Sequence, residues 1–334
     1  MKVLITGTAG FIGFHLAKLL LKQGFKVHGY DCINNYYDVN LKLARQNILL
    51  KDINFSTTKG LLEDYDKLDE VTDKFQPDII IHLAAQAGVR YSLENPRAYI
   101  NSNIIGTFNV MEIAKKYKVK HLLMSSSSSV YGANTIMPFT ENDKADTQLS
   151  IYATTKKSNE SMAHSYAHLW KIPITMFRFF TVYGPWGRPD MAYFKFVSSI
   201  LNNKTIDIYN NGEMYIDFNY VDDLVNGMRL IVDCIPNNKK ISENDSLSPV
   251  APFRVVNIGN SDKIKLIDFI DAIEESLNKK AIRNYMPMQI GDVTETWADA
   301  TLLQKLTNYK PKTNYKDGIN NFIKWYKEYY TIKF

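Results

Sequence analysis

Short apolar runs and amphipathic stretches alternate through the first half of the chain. Residues 3–6, 26–30, 53–57, 78–84, 121–126 and 174–179 read as strands, and 11–23, 38–50, 62–75, 96–117 and 151–170 carry helical spacing. Strands that are nearly unbroken aliphatics are buried on both faces, the mark of a parallel sheet covered by helices on each side. The predicted fold is α/β, a Rossmann-type doubly wound parallel sheet with ligands at the carboxyl ends of its strands. Past Phe180 the rhythm changes. The Gly/Pro-rich stretch 183–189 does not fit regular structure. Helices near 191–202, 222–233, 264–278 and 316–330 follow, with strands near 206–210, 215–221 and 254–258 and a polar loop over 237–252. The chain therefore divides into a sheet-forming half, 1–180, with returning segments near 215–233 and 254–260, and a smaller α/β cap, 181–334.

Composition narrows the partners. The 334 residues are 45% hydrophobic and 22% charged, with a net charge of +5 from scattered lysines. No basic stripe with interleaved aromatics appears, so nucleic acid is not the expected partner. The two cysteines, Cys32 and Cys234, form no CxxC pair and read as reduced thiols of a cytoplasmic protein. No apolar run approaches the roughly 18 residues a membrane helix needs. The opening residues read as a buried strand leading into a Gly-rich turn, not as a leader peptide.

Chemistry concentrates where the predicted strands end. Gly7, Gly10 and Gly13 are spaced GxxGxxG between the first strand and the first helix, which Phe11 and Ile12 open. Such glycines let a backbone turn tightly against a pyrophosphate, which rests on helix N–H groups. Asp31 ends the second strand, where a carboxylate accepts ribose hydroxyls and repels a 2′-phosphate, so the expected cofactor is NAD. Asn34 lies just beyond. Leu83, Ala84, Ala85 and Gln86 follow His82 at the end of the fourth strand, and Phe179 ends the sixth; all are expected along the cofactor. Asn103 is a polar residue in an apolar helix, either a cofactor contact or a satisfied buried amide.

Tyr152 and Lys156 stand four apart on one helix face. A phenol near pKa ~10 is a poor base at neutral pH. A neighbouring ammonium and a cationic nicotinamide are expected to lower it. The serine run Ser125–Ser129 ends the fifth strand, just before Val130, Tyr131 and Gly132. Its hydroxyls are placed to bond a sugar or alcohol oxygen and relay a proton to Tyr152.

Taken together these residues resemble the extended short-chain dehydrogenase/reductase family over nearly the whole chain. Four stretches, residues 35–42, 86–92, 179–191 and 287–293, resemble nucleotide-sugar 4-epimerases acting on UDP-glucuronate. The resemblance implies an NAD-dependent oxidation at C4, rotation of the 4-keto sugar and re-reduction on its other face. Tyr152 and Lys156 would be catalytic, with Ser127 the chief hydroxyl partner and Ser128 and Ser129 beside it. Tyr152 and Lys156 would also contact NAD, Lys156 at the nicotinamide ribose, with residues 1–180 the NAD-binding half and 181–334 mainly the UDP-sugar-binding half. Arg188 would grip the sugar carboxylate through two parallel hydrogen bonds, with Thr181 adding a contact. Arg90, Met191, Gln289 and Asp292 complete the expected UDP-sugar contacts. The family's dimers, built on the helices near 96–117 and 151–170, imply a homodimer.

Related dehydratases and decarboxylases resemble one another in carrying acidic residues just before the Val-Tyr-Gly, where this chain has Ser128 and Ser129. That favours epimerisation. Two positions depart from the family's pattern: Ile216 stands where relatives carry a diphosphate-binding Arg, and Leu61 where they often carry an Asp toward adenine. The alternatives are the same reaction on a neutral UDP-hexose or its N-acetyl form, decarboxylation of UDP-glucuronate, and, from another class, an NAD-binding regulatory module without catalysis.

Overall fold

The computed structural model describes residues 1–237, 239–289 and 293–331. The first half runs β1 (Lys2–Thr6), α1 (Phe11–Lys22), β2 (Lys26–Asp31), α2 (Val39–Leu49), β3 (Phe55–Lys59), α3 (Tyr65–Phe75) and β4 (Ile79–His82). Then come α4 (Tyr91–Glu94), α5 (Pro96–Tyr99), a π-helical turn (Ile100–Ile105), α6 (Gly106–Lys116), β5 (His121–Ser125), α7 (Ile151–Trp170) and β6 (Ile174–Phe179). The second half comprises β7 (Thr181–Tyr183), α8 (Ala192–Leu201), β8 (Thr205–Ile208), β9 (Tyr215–Ile216), β10 (Phe218–Tyr220), α9 (Val221–Ile231) and β11 (Phe253–Ile258). It ends with β12 (Ile264–Lys265), α10 (Leu266–Leu277), β13 (Ile282–Tyr285), β14 (Glu295–Thr296), α11 (Thr301–Thr307) and α12 (Tyr315–Tyr329).

Seven parallel strands form the main sheet in the order β3-β2-β1-β4-β5-β6-β11. Every residue of β4, β5, β6 and β11 is buried, as the aliphatic runs require. One apolar cluster packs α1 and α9 on one face, and another packs α3, α6 and α7 on the other. The chain order reverses between β1 and β4, which opens a crevice at the carboxyl ends of those strands. A third, aromatic-rich cluster joins α8, α10 and α12 over the small sheets β12-β9-β14 and β13-β8. Tyr326 and Tyr329 belong to it, so the C-terminal tyrosines are packing residues.

The predicted helix over 96–117 is not uniform. Asn95 caps it, its side chain accepting from Ala98 N, and a six-residue π turn interrupts it at Ile100–Ile105. The wider turn brings Asn103 inward, a backbone arrangement that helical periodicity does not reveal. The predicted helix 264–278 yields its first two residues to β12, because Ile264 pairs with Ile216. The short α4, α11, β13 and β14 were not legible from the sequence pattern.

Candidate active site

The first wall of the crevice is the turn between β1 and α1. Gly7 has φ +87° and donates its N–H to Tyr30 O at 2.8 Å. A Cβ on Gly13 would lie 2.1 Å from Gly7 O, so only glycine lets the helix start this close to the turn. Gly10 caps α1 without any side-chain acceptor, leaving the first N–H groups of the helix to face the cavity. Asp31 holds the turn from the side: its carboxylate accepts from Ala9 N at 2.9 Å and Ile33 N at 2.8 Å. Burial raises its pKa, and those two N–H groups and the charges of Lys42 and Arg45 oppose the rise.

A cavity of about 470 Å³ opens from this turn across the ends of β1, β4 and β5. Gly7, Gly10, Phe11, Ile12, Gly13, Asp31, Asn34, Leu83, Ala84, Ala85, Gln86, Ser127, Tyr152, Lys156, Phe179, Arg188 and Met191, all candidates from the sequence, line it. Its glycine turn, uncapped helix start and acidic far end fit a dinucleotide. Those residues would hold the two phosphates and the adenosine ribose of NAD.

Several expected residues sit elsewhere. Asn103 is fully buried behind the wall. Its Oδ1 accepts from Gln86 N at 2.8 Å, and its Nδ2 donates to Gln86 O at 3.0 Å and Thr155 Oγ1 at 3.1 Å. The whole amide is used to hold the Gln86 loop, so Asn103 supports the cofactor wall and is not part of it. Arg90 is exposed, with its guanidinium 4.6 Å from the Tyr209 ring and outside the cavity lining. Thr181 is half-buried on β7, whose partner is β10, and lies outside the lining as well. Gln289 is half-buried and lines neither this cavity nor the smaller one beside Ser128 and Ser129, and Asp292 lies outside the described residues.

The chemistry gathers where β5 faces α7. Ser150 caps α7, accepting from Ala153 N at 3.1 Å, which places Tyr152 and Lys156 on the helix's first turns. Lys156 donates to Ser125 O at 2.8 Å and Ser125 Oγ at 3.0 Å, and burial pushes its pKa down to about 8. Tyr152 and Ser127 line the cavity together. Burial raises the pKa of this phenol, while the Ser127 hydrogen bond and the Arg188 charge pull it the other way. This corrects the expectation that Lys156 lowers it in the protein alone: the ammonium is directed at Ser125, and the charge that acts on the phenol is that of Arg188.

The serine run divides its tasks. Ser125 receives Lys156, Ser126 donates to the buried Glu160 at 2.6 Å, and Ser127 meets Tyr152. Ser127 also donates to Ser129 Oγ at 3.2 Å. Ser128 and Ser129 line a small adjoining cavity with Val89, Phe139, Ala153 and Val293, and no carboxylate lines it among the described residues. The large cavity has two carboxylates on its wall, Asp31 and Glu63, both at the nucleotide end.

Arg188 enters the cavity wall already engaged. Its Nε and Nη2 lie 3.1 and 2.5 Å from the two carboxylate oxygens of Asp190, whose Oδ2 also accepts from Tyr36 at 3.2 Å. Ion pairing outweighs burial and keeps the guanidinium charged, with its pKa above the ordinary value. The two-pronged grip expected for a substrate carboxylate is thus taken by a neighbour, which leaves Nη1 for a ligand.

Sequence reasoning missed Lys42 and Glu63 on the cavity wall. Lys42 donates to Asn34 O at 2.7 Å and lies 4.1 Å from the Tyr37 ring, and burial lowers its pKa. Its signal was its spacing with Arg45, three residues apart on one face of α2. The paired histidines His164 and His168 bond Ser248 and Val250 O at 2.9 Å each, and no metal-binding cluster occurs among the described residues.

Comparison with known proteins agrees with this geometry. The family model described as GDP-mannose 4,6 dehydratase matches residues 4–322. Protein CapI of Staphylococcus aureus is 53% identical over 99% of both chains. The probable UDP-glucuronate 4-epimerase of Rhizobium meliloti is 51% identical over 99% of this chain and 98% of its own. The structure of a Bacillus cereus UDP-glucuronic acid 4-epimerase with UDP-glucuronic acid and NAD superposes with a TM-score of 0.89, at 31% identity over 99% of this chain and 100% of that one.

Proposed function

The chain belongs to the family of that dehydratase model, within the extended short-chain dehydrogenase/reductases, and from this premise we propose that it is an NAD-dependent 4-epimerase interconverting UDP-glucuronate and UDP-galacturonate. The observation that carries the reading is the company Tyr152 keeps. It lines the mouth of a dinucleotide cradle together with Ser127, whose hydroxyl acts on the phenol, and the sugar end carries no Asp or Glu among the described lining residues. One phenol that takes a hydroxyl proton and gives it back is sufficient for epimerisation. Elimination needs a second acid or base, and Ser128 and Ser129 do not supply one.

When bound, NAD supplies the reversible hydride exchange at the sugar C4. The protein's own groups do the rest. Tyr152 Oη exchanges the C4 hydroxyl proton, with Ser127 sharing the hydrogen bond. Lys156, whose pKa burial lowers in the protein alone, would hold a ribose hydroxyl of the cofactor while staying on Ser125. Arg188 meets the carboxylate through Nη1 while Asp190 keeps Nε and Nη2 in place. Fixing that carboxylate matters, because a β-keto acid loses carbon dioxide when the breaking bond aligns with the ketone.

Two structural facts bear on the departures. Ile216 packs against the aromatic cluster of the cap, pairing with Ile264, so it makes no charged contact. Leu61 lines the cavity through a segment anchored by Tyr30, whose hydroxyl donates to Leu61 O at 2.9 Å.

The test is proton NMR of the purified protein with UDP-glucuronate and no added cofactor. The expected result is UDP-galacturonate rising to equilibrium. UDP-pentose with carbon dioxide would replace the reading with decarboxylation, and turnover of neutral UDP-hexoses alone would replace the substrate. Arg188→Met should raise KM for UDP-glucuronate roughly tenfold to a hundredfold, the worth of one or two charge-assisted hydrogen bonds. An unchanged KM would remove Arg188 from carboxylate binding.

The proposal extends to assembly and place. Ile105 and Phe108, near the start of α6, are exposed, as are Leu169 and Trp170 at the end of α7. Such an apolar surface over two adjacent helices supports a homodimer, and sedimentation should give twice the 38.4 kDa chain mass. The free cysteines Cys32 and Cys234 favour the cytoplasm. No helix among the described residues is long and apolar enough to cross a membrane. The division into a cofactor half and a substrate half is carried in the same proposal, with β11 and α9 as the returning segments.

A further inference from the structure

Arg45 is the largest fully buried side chain of the described residues, and it has no carboxylate partner among them. A guanidinium in that position is costly unless its geometry does something a neutral residue does not. Its Nη1 donates to Ala9 O at 2.8 Å and to Tyr37 Oη at 2.9 Å. Its Nη2 donates to Trp186 O at 2.6 Å and Gly187 O at 3.0 Å, and its Nε has no partner among the described residues.

The acceptors belong to different parts of the site. Ala9 lies in the glycine turn, and its N–H is one of the two that Asp31 accepts. Trp186 and Gly187 lead directly to Arg188. The 184–190 loop is held in an uncommon shape, with Trp186 at φ +60°, a left-handed conformation that a bulky side chain rarely takes. Its preceding carbonyl, Pro185 O, lies 2.9 Å from His15 Nε2 on α1. Three successive carbonyls of this loop are thus held by two side chains of the cofactor half.

We propose that Arg45 is a positioning residue that ties the loop carrying Arg188 to the glycine turn, so that cofactor and UDP-sugar strengthen each other's binding. The inference rests on the proposed substrate, and it concerns coupling between two ligands, not turnover. A ligand that settles the glycine turn settles Ala9 O. Arg45 transmits that order to Trp186 O and Gly187 O, and so fixes the direction from which Arg188 meets the sugar. Binding couplings of this kind are reciprocal and commonly amount to about 5- to 150-fold. Only a planar fork reaches all four acceptors at once, so lysine is not an equivalent.

The experiment measures NAD affinity by titration of the stripped protein, with and without saturating UDP-glucuronate, in wild type, Arg45→Lys, Arg45→Met and His15→Phe. In wild type the sugar nucleotide is expected to tighten NAD at least fivefold. In both Arg45 variants NAD alone should bind within a few-fold of wild type, while the tightening disappears. His15→Phe removes the Pro185 contact without stranding a buried charge, and should lose part of the tightening even if the Arg45 variants fold poorly. Full tightening in a folded Arg45 variant or, should neither fold, in His15→Phe would overturn the proposal. Absence of tightening in wild type would instead count against UDP-glucuronate as ligand and take the coupling with it.

Discussion

Tyr152→Phe is expected to lower kcat about 10³-fold, within the 10²- to 10⁴-fold range for loss of a positioned proton carrier, while leaving the protein's NAD content unchanged. The magnitude corresponds to roughly 4 kcal/mol of transition-state stabilisation. The separation of the two readouts follows from the geometry. The phenol reaches the cavity beside Ser127, whereas the dinucleotide cradle is built from the Gly7–Gly13 turn, Asp31 and the Leu83–Gln86 segment. Losing one oxygen removes no element of that cradle. It also leaves Lys156 on Ser125, because the ammonium does not depend on the tyrosine for its position. The check is single-turnover kinetics alongside nucleotide released on denaturation. If kcat fell less than tenfold, Tyr152 would not carry the proton and Ser127 would be the next group to examine. If NAD were lost in parallel, the phenol would be part of the cofactor's support, and a protein that merely senses NAD would regain ground.

The parts of this molecule legible in the sequence are those governed by local rules. The order of strands and helices through Phe179 follows from aliphatic runs and helical spacing, and the ends of α7 and β6 coincide with those expected. The glycine turn was legible because glycine is the only residue that fits where a Cβ would overlap Gly7 O. What escaped depends on contacts between distant segments. Asn103 has the composition of a ligand contact, yet a π turn places it against Gln86, and no periodicity predicts that turn. Arg188 was recognisable as a cation of the site, but Asp190, two residues on, takes its fork only because the 184–190 loop folds back on itself. Arg45 drew no attention because a lone Arg on an amphipathic helix is usually solvated. Its burial follows from the docking of Trp186 and Gly187 on the glycine turn, an arrangement of three segments that no single stretch encodes.

Behind the serine run lies the second large effect. Glu160 on α7 and Arg178 on β6 form an ion pair whose side chains are each 3% exposed. Arg178 donates through Nε and Nη2 to the two carboxylate oxygens at 2.9 and 2.8 Å, and its guanidinium lies 4.7 Å from the Tyr131 ring. The same carboxylate accepts from Ser126. Burial by itself would raise the pKa of Glu160, but the hydrogen bonds and charge of Arg178 hold it below its ordinary value. Glu160→Gln strands a buried guanidinium, so it should cost about 3–5 kcal/mol. For a chain of this size that is a fall in melting temperature of roughly 4–7 °C. Since the folded carboxyl has a lowered pKa, its contribution is present above the unfolded value of 4.5 and is lost as pH falls through the folded one. The gap between wild type and variant should therefore hold at pH 7 and narrow below about pH 4.5. Removing both charges, as Glu160→Gln with Arg178→Met, should restore much of the stability, because no uncompensated ion remains. Activity should not return with it. Ser126 would lack its carboxylate acceptor, and the turn that presents Ser127 to Tyr152 would lose the contact that fixes its neighbour. A double variant as active as wild type would show that the ion pair serves folding alone, and a single variant within 1 kcal/mol of wild type would show that water reaches Arg178.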